Sequence, residues 1–159
     1  GVLAEALCQT FPQIRYVGLD FMQPFLDYAA ARLPAGANAT FVQADLTGEE
    51  WVEQLREAGG ENGRYHAIIS MQSLHDVGDA QRTAHIYQQC HTLLADSGFF
   101  LNADLITRDG DDANPRPGRL TVQQHLDLLN EAGFSSPTCP LQMGGFGCFL
   151  GSLTRQKAS

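Results

Sequence analysis

The stretch Ile14-Arg15-Tyr16-Val17-Gly18-Leu19-Asp20 decides the fold, because it reads as a buried strand that ends on a carboxylate. A helix pattern precedes it over residues 1–11, and Asp20 follows Gly1 by nineteen positions. In nucleotide-binding α/β folds, a glycine turn is followed about 20 residues later by an acid that holds the ribose hydroxyls. A carboxylate suits this task because its two oxygens accept from two neighbouring hydroxyls. The stretch therefore predicts an α/β fold and a ligand that contains a ribose.

The composition describes a globular domain and argues against several chemistries. With 159 residues, 43% of them hydrophobic, the chain is long enough for one domain with a buried core. Its formal net charge of -8 argues against general binding to a nucleic-acid backbone, which requires a basic face. The single lysine, Lys157, follows the last apolar segment. Schiff-base chemistry, a Walker A loop and a Tyr-x-x-x-Lys reductase are therefore not expected.

The cysteine pattern and the lack of long apolar runs predict a cytoplasmic protein. The four cysteines show no C-x-x-C pairing, which favours reduced and mostly buried thiols. The first apolar run is interrupted by Glu5 and Gln9, unlike that of a signal peptide. No apolar run approaches the ~20 residues of a membrane helix, so no membrane partner is expected.

Helix and strand patterns alternate along the sequence with short connections. This order predicts an α/β domain with a mostly parallel sheet, helices on both of its faces and a C-terminal antiparallel hairpin. We see no repeat or linker, so 1–159 is predicted to be a single domain. The predicted strands are 14–20, 39–44, 65–70 and 99–103; the predicted helices are 1–11, 24–33, 48–58, 79–94 and 121–133; and the hairpin covers 137–153.

Three details of these elements can be compared directly with a structure. The helix that starts near Pro24 is expected to carry Phe25 and Tyr28 on its apolar face. Thr47 is the expected N-cap of the next helix. Residues 96–98, Asp-Ser-Gly, are expected to form a turn before a strand.

Five short motifs resemble, in order, those of class I S-adenosylmethionine-dependent methyltransferases. They are Gly1–Leu7 as the end of the glycine-rich first motif, Gly18–Asp20 as the second, Ala44–Leu46 as the motif that touches adenine, Ser70–Asp76 after the fourth strand, and Ala132–Phe134 before the terminal hairpin. The resemblance covers nearly the whole chain and implies a Rossmann-like fold. The family's first strand has no counterpart here, so we expect a domain that is incomplete at its N-terminus.

The resemblance implies S-adenosylmethionine as the cofactor and a small molecule as the methyl acceptor. Asp20 would hold the ribose, Asp45 would accept from the adenine amino group, and Phe21 or Met22 would pack against adenine. The residues by themselves leave alternatives open: a turn acid for Asp20, a helix N-cap for Asp45, and plain core for the two apolar side chains. The implied cofactor-binding residues are Gly1, Asp20, Phe21, Met22, Asp45, Leu46 and Ser70.

His75 is the candidate catalytic residue. It forms the only adjacent His/Asp pair of the sequence with Asp76, just after a buried strand. Open α/β sheets bind ligands at that end of their strands, so His75 could act as a general base for a hydroxyl or amine acceptor. The alternative is that His75 only lines the pocket, since holding donor and acceptor in line can supply much of the rate. Asp104, after the next strand, could reach the same crevice or only form a turn.

No metal site is expected. Asp109–Asp112 departs from the EF-hand pattern, because Ala113 takes the place of the third ligand. The remaining histidines have no partner at metal-ligand spacing, which favours structural roles for His66, His85, His91 and His125.

Two rival functions stay open at this point. An NAD-dependent oxidoreductase would suit the spacing from glycine to acid, although Asp45-Leu46 and the lack of an internal lysine weigh against it. A non-catalytic or degenerate nucleotide-binding scaffold would fit the absence of the first strand.

Overall fold

In the computed structural model, which describes residues 1–59, 61–108 and 116–153, helices and strands alternate as the sequence predicts. The parallel strand pairs, the helices between strands and the closing antiparallel hairpin confirm the Rossmann-like α/β fold. Within these residues, the helices are α1 (Val2–Thr10), α2 (Gln23–Arg32), α3 (Trp51–Ala58), α4 (Ala80–Leu93) and α5 (Val122–Glu131), and the strands are β1 (Tyr16–Asp20), β2 (Ala39–Gln43), β3 (Tyr65–Met71), β4 (Leu94–Leu105), β5 (Ser135–Met143) and β6 (Phe146–Ser152).

The chain divides into two compact units, unit 1 (Gly1–Gly63) and unit 2 (Arg64–Ser159). Strands β1 and β2 form a parallel pair in unit 1, and unit 2 contains a sheet with the strand order β3-β4-β6-β5. Strand β3 pairs parallel to β4, whereas β6 runs antiparallel to both β4 and β5. The prediction of a single domain over 1–159 stays a prediction.

In unit 1, the parallel pair brings two predicted ligand positions to the same sheet edge. Asp20, the last residue of β1, lies opposite Gln43, and its carbonyl accepts from the Ala44 amide at 3.1 Å. The carboxyl ends of parallel strands are where such sheets bind ligands. Asp20 and the segment that contains Asp45 therefore leave the sheet side by side.

Unit 2 is organised around an aromatic core between its sheet and helices. The rings of Tyr87 and Phe100 meet edge to face with centroids 5.3 Å apart, and Phe100 lies 5.8 Å from Phe134. Both helices of this unit begin as the sequence predicts. Asp79 accepts from the Arg82 amide at the start of α4, and Thr121 forms a capping box with Gln124 at the start of α5.

The prediction for the apolar face of α2 is wrong for its two aromatic residues. Leu26 and Ala29 are buried, whereas Phe25 and Tyr28 are both 59% exposed. The buried residues are spaced by three positions, so the aromatic pair lies on the neighbouring flank of the helix. Arg32 stacks on Tyr28 at 5.5 Å from the ring centroid, which gives this ring a polar partner.

Two further local predictions are wrong. Thr47 is not an N-cap, because helix α3 begins only at Trp51. Both the backbone N–H and the hydroxyl of Thr47 instead donate to Asp45 Oδ1, each at 2.8 Å, in an Asx turn that delays the helix. Residues 96–98 lie within β4, where Ser97 has a φ of 64° and the pairing with β3 shifts its register. The turn residues therefore form a bulge.

None of the helices described is long and apolar enough to span a bilayer.

Candidate active site

A strained turn links the end of β3 to the candidate catalytic histidine. Gln72 adopts a φ of 51°, which is unusual for a non-glycine residue. Its backbone N–H donates to the Ala103 carbonyl at 2.8 Å, and the Ser73 hydroxyl donates to the Met71 carbonyl at 3.1 Å. These bonds hold the turn against β4, and a single 3₁₀ turn over Leu74–Asp76 follows. Strain of this kind is concentrated at functional sites.

Asp104 holds both the backbone and the ring of His75. Its side chain is 1% exposed. Oδ2 accepts from the backbone amides of Leu74 at 2.8 Å and His75 at 3.1 Å. Oδ1 accepts from the Leu105 amide at 2.8 Å and lies 2.6 Å from His75 Nδ1. These donors occupy both oxygens of the buried carboxyl group, which offsets the cost of burying it. The structure therefore pairs His75 with Asp104. Of the two roles that the sequence left open for Asp104, it places this residue beside His75.

This contact decides which nitrogen of His75 can take up a proton. A carboxylate oxygen only accepts, so Nδ1 donates to Asp104, and in the neutral ring Nε2 carries the free lone pair. Nε2 lies 3.2 Å from Asp76 Oδ2, and the Asp76 side chain is 80% exposed. Once Nε2 is protonated, it can donate to Asp76. A carboxylate that fixes the imidazole through Nδ1 is the arrangement found in oriented general bases, and here Nε2 faces Asp76.

A short segment, Arg116–Leu120, packs onto the other side of the His75 turn. Thr107 anchors it, since its N–H donates to the Leu120 carbonyl at 3.1 Å and its hydroxyl to the Arg119 carbonyl at 2.6 Å. Gly118 is buried, and a Cβ at this position would collide with the backbone carbonyl of His75. Glycine is required here because the two backbones approach too closely for a side chain.

We expect the substitution Gly118→Ala to lower the free energy of unfolding by about 1–3 kcal/mol, because the segment and the His75 turn must separate. Urea denaturation measures the change. Gly145→Ala is the matched control, since a Cβ at Gly145 meets its nearest atom at 3.6 Å. Equal destabilisation by the two variants would contradict the close contact at Gly118.

A second cluster of buried polar side chains lies in the same unit as Asp104. Asn102 Nδ2 donates to the Tyr87 hydroxyl at 3.2 Å, and this hydroxyl lies 2.7 Å from His125 Nδ1. Because the Tyr87 oxygen already accepts from Asn102, its proton points to Nδ1, and the neutral His125 carries its own proton on Nε2. The His125 ring also stacks on Phe149 with centroids 4.2 Å apart. Burial lowers the pKa of His125 to about 4, so the ring is neutral in the folded protein near neutral pH.

In unit 1, Asp20 is half-buried and keeps one oxygen for a ligand. Its Oδ1 accepts from the backbone N–H of Met22 at 2.9 Å. Among the described residues, Oδ2 has no hydrogen-bond partner, and it remains available at the end of β1. This bond begins the turn into α2, so Asp20 also has the alternative role of a turn acid. Met22 itself is 38% exposed.

An open cleft of about 510 Å³ follows β2 in unit 1. Phe21 and Asp45 both line it, together with Trp51, so an exposed aromatic face and a carboxylate border the same space. Phe21 is 64% exposed, which excludes the reading of this residue as plain core. The lining residues are Phe21, Gln43, Ala44, Asp45, Gly48, Glu49, Glu50, Trp51 and Gln54.

The remaining predicted cofactor residues have structural surroundings that differ from one another. Gly1 lies against α2, where a Cβ would come 2.8 Å from the Ala29 Cα atom, so its lack of a side chain permits close packing of two helices. Leu46 is half-buried in the turn after Asp45. The Ser70 hydroxyl, near the end of β3, is enclosed and has no hydrogen-bond partner among the described residues. Their roles in binding stay predictions.

Within the described ranges, no group of three or more His, Cys, Asp and Glu side chains is placed to hold a metal ion. The segment Asp109–Asp112 lies outside these ranges.

Comparison with protein families identifies the chain. Residues 1–100 match the family described as "Methyltransferase domain". The chain belongs to this family. The matched residues include the turn that carries His75 and end just before Asp104. The family match therefore covers one member of the His75–Asp104 pair. No curated protein matches the chain.

Solved structures similar to this methyltransferase domain have the same fold at low sequence identity. "PigF with SAH" has a TM-score of 0.72 and 18% identity, with 96% of this chain and 47% of that chain covered. An O-methyltransferase family protein from Burkholderia thailandensis has a TM-score of 0.73 and 15% identity, with 98% and 48% covered. Human N-acetylserotonin methyltransferase in complex with SAM has a TM-score of 0.69 and 13% identity, with 97% and 45% covered. The methyltransferase domain therefore spans about half the length of the structures it matches.

Local sequence patterns in this methyltransferase domain do not indicate the contacts that Asp104 and Gly118 make with His75. The sequence predicts that Asp104 either reaches the same crevice as His75 or only forms a turn, and its pairing with His75 depends on the alignment of β3 with β4. Nothing in the sequence around Gly118 indicates its contact with the His75 backbone.

Proposed function

We propose that the whole protein transfers the methyl group of S-adenosylmethionine to a hydroxyl or amine of a small-molecule acceptor, with His75 as the general base. The observation that carries this proposal is the His75–Asp104 pair at the end of β3, where a buried carboxylate holds Nδ1 and Nε2 lies beside the exposed Asp76 side chain. Two similar solved proteins are titled as an O-methyltransferase family protein and as N-acetylserotonin methyltransferase, which supports a small acceptor. An oxygen acceptor is favoured by the first of these.

The residues of this chain fit the proposed cofactor. Asp20 offers Oδ2 to a ribose hydroxyl, and Phe21 offers an exposed ring to adenine beside Asp45. The Asp45 carboxylate is engaged with Thr47, so its contact with adenine would come in addition to the Asx turn. When bound, S-adenosylmethionine supplies an electrophilic methyl group on a cationic sulfur. The net charge of -8 favours approach of a cation, although salt screens this attraction.

The protein's own part in the reaction is to orient the acceptor and accept its proton. An acceptor O–H or N–H would donate to His75 Nε2 and pass its proton to that nitrogen, and bound S-adenosylmethionine would supply the methyl group that replaces the proton. Asp104 keeps the ring in place and stabilises the imidazolium that results, as in other carboxylate–histidine pairs. Asp76 provides an acceptor for the new N–H at 3.2 Å.

The proposal extends to the organisation of the protein. We assign 1–159 to one methyltransferase-like domain of a cytoplasmic protein that acts on small molecules and not on nucleic acid. The net charge of -8 supports the last point, since a phosphate backbone requires a basic face.

Calorimetric titration with S-adenosylhomocysteine tests the cofactor site. We expect Asp20→Ala to weaken binding about 10- to 100-fold, which corresponds to the loss of hydrogen bonds to a charged group. Asp27→Ala is the matched control, because Asp27 is an exposed acid of the same unit that accepts a hydrogen bond from the Gln23 side chain. The proposal fails if NAD binds more tightly than S-adenosylhomocysteine. Tight binding without turnover of any acceptor would instead support a non-catalytic scaffold.

A further inference from the structure

Unit 2 contains a second open cleft, of about 630 Å³, just beyond the carboxyl end of β4. The hairpin between β5 and β6 closes one side of it, and the first turn of α5 closes another. The lining residues are Thr107, Arg108, Val122, Gln123, Gln142 and Gly144. None of these residues has a part in the proton transfer described above.

Arg108 is the charged side chain that lines this cleft. It is exposed, and within the described residues it forms no ion pair. Its guanidinium lies against the hairpin at Gly144, where a Cβ would come 2.9 Å from Nη2 and where φ is 58°. The other polar side chains are partly engaged, since Gln123 donates to Asp127 and Thr107 donates to the Arg119 carbonyl. Among the described residues that line the cleft, Arg108 is the one charged side chain.

The cleft is close in the chain to the proposed base. Arg108 follows Asp104 by four residues, so their Cα atoms are at most about 14 Å apart even in a fully extended chain. Thr107 also anchors the segment that packs on His75 through Gly118. The cleft and the His75 turn are therefore connected through the same short stretch of chain after β4.

We propose that this cleft binds a carboxylate of the methyl acceptor, with Arg108 as its charged partner, so that the preferred substrates are hydroxy or amino acids of small size. The inference rests on the proposed function for its second contact, at His75. A monoanionic carboxylate matches a single guanidinium, which can bind both of its oxygens. A phosphate dianion would leave an excess negative charge in a chain that already carries -8.

Pairs of probes that differ only in charge test the inference. We would titrate 4-hydroxybenzoate and 4-hydroxycinnamate, each against its amide, into the protein by calorimetry. We expect the acids to bind about 3- to 10-fold more tightly than the amides, and added salt to reduce this preference. Arg108→Gln should abolish the preference, and Arg108→Lys should retain part of it. The matched control Arg56→Gln, in the other unit, should leave it unchanged.

The outcomes separate this inference from the cofactor assignment. Equal affinity for acids and amides, no binding by any of the acids, or a preference that survives in Arg108→Gln would overturn the carboxylate site. Titration of S-adenosylhomocysteine into the same samples reports on the cofactor independently. Cofactor binding without a preference for acids would remove this inference alone, whereas a preference for acids without cofactor binding would remove the proposed reaction and keep the cleft.

Discussion

Replacing His75 with glutamine should lower kcat for methyl transfer by about 10²- to 10⁴-fold, which is the usual contribution of a general base. Glutamine retains hydrogen bonding to Asp104 but has no nitrogen that takes up a proton near neutral pH. The affinity for S-adenosylhomocysteine should stay within about twofold of wild type, since the proposed ribose contact is made by Asp20. Initial rates with an accepted hydroxyl substrate, together with calorimetry, measure both quantities.

Two companion variants make this expectation specific. His66→Gln, at an exposed histidine of β3, should leave kcat unchanged. Asp104→Asn should lower kcat as well, because an amide can present its N–H to His75 Nδ1 and reverse the ring's protonation, as is known for carboxylate-to-amide changes in such pairs. Full activity in His75→Gln would show that positioning of donor and acceptor suffices, which is the alternative role that the sequence left open.

His125 by itself should lower the free energy of unfolding by about 3 kcal/mol as the pH decreases from about 6.5 to about 4. Burial lowers the pKa of this side chain from 6.5 to about 4 in the folded state. Between these values the unfolded chain binds a proton that the folded protein does not, so the free energy of unfolding decreases as the pH falls. The difference of about 2.5 pKa units corresponds to about 3 kcal/mol. Above pH 6.5 this contribution is complete.

Urea denaturation at pH 7 and at pH 4.5 in the wild type and in His125→Gln measures this contribution. Other groups also titrate in this range, so the informative quantity is the difference between the two proteins. We expect the variant to be less stable at pH 7, because it loses the stacking on Phe149, and to lose less stability in acid. His66→Gln should follow the wild-type curve. Parallel curves for the wild type and His125→Gln would contradict the assignment.

The order of the elements and the starts of α4 and α5 follow from local patterns in the sequence. Asp79 and Thr121 cap their helices because a short polar side chain can reach an amide three residues later wherever the chain goes. The start of helix α3 is predicted less accurately, because Asp45 accepts from the Thr47 amide and the helix begins later. The prediction that Phe25 lies on the covered face of α2 is wrong, because periodicity alone does not show which apolar residues the sheet covers.

The candidate site depends on contacts that no local pattern contains. The adjacent pair His75-Asp76 drew attention by itself, but its partner Asp104 lies 29 positions later. Only the parallel alignment of β3 with β4, in which Met71 lies opposite Ala103, brings that carboxylate to the turn. The Arg108 cleft similarly requires a hairpin from another part of the chain, at Gly144.

The alignment of β3 with β4 makes the chemistry sensitive to strand slippage. A shift of one residue turns every side chain of a strand to the opposite face. It would place Ala103 or Leu105 where Asp104 now stands, and neither has an oxygen on its side chain. A protein folded in that alignment would lose the fixed base together with the packing of Phe100 against Tyr87. In unit 2, the strand register that packs the core therefore also sets the position of the proposed base.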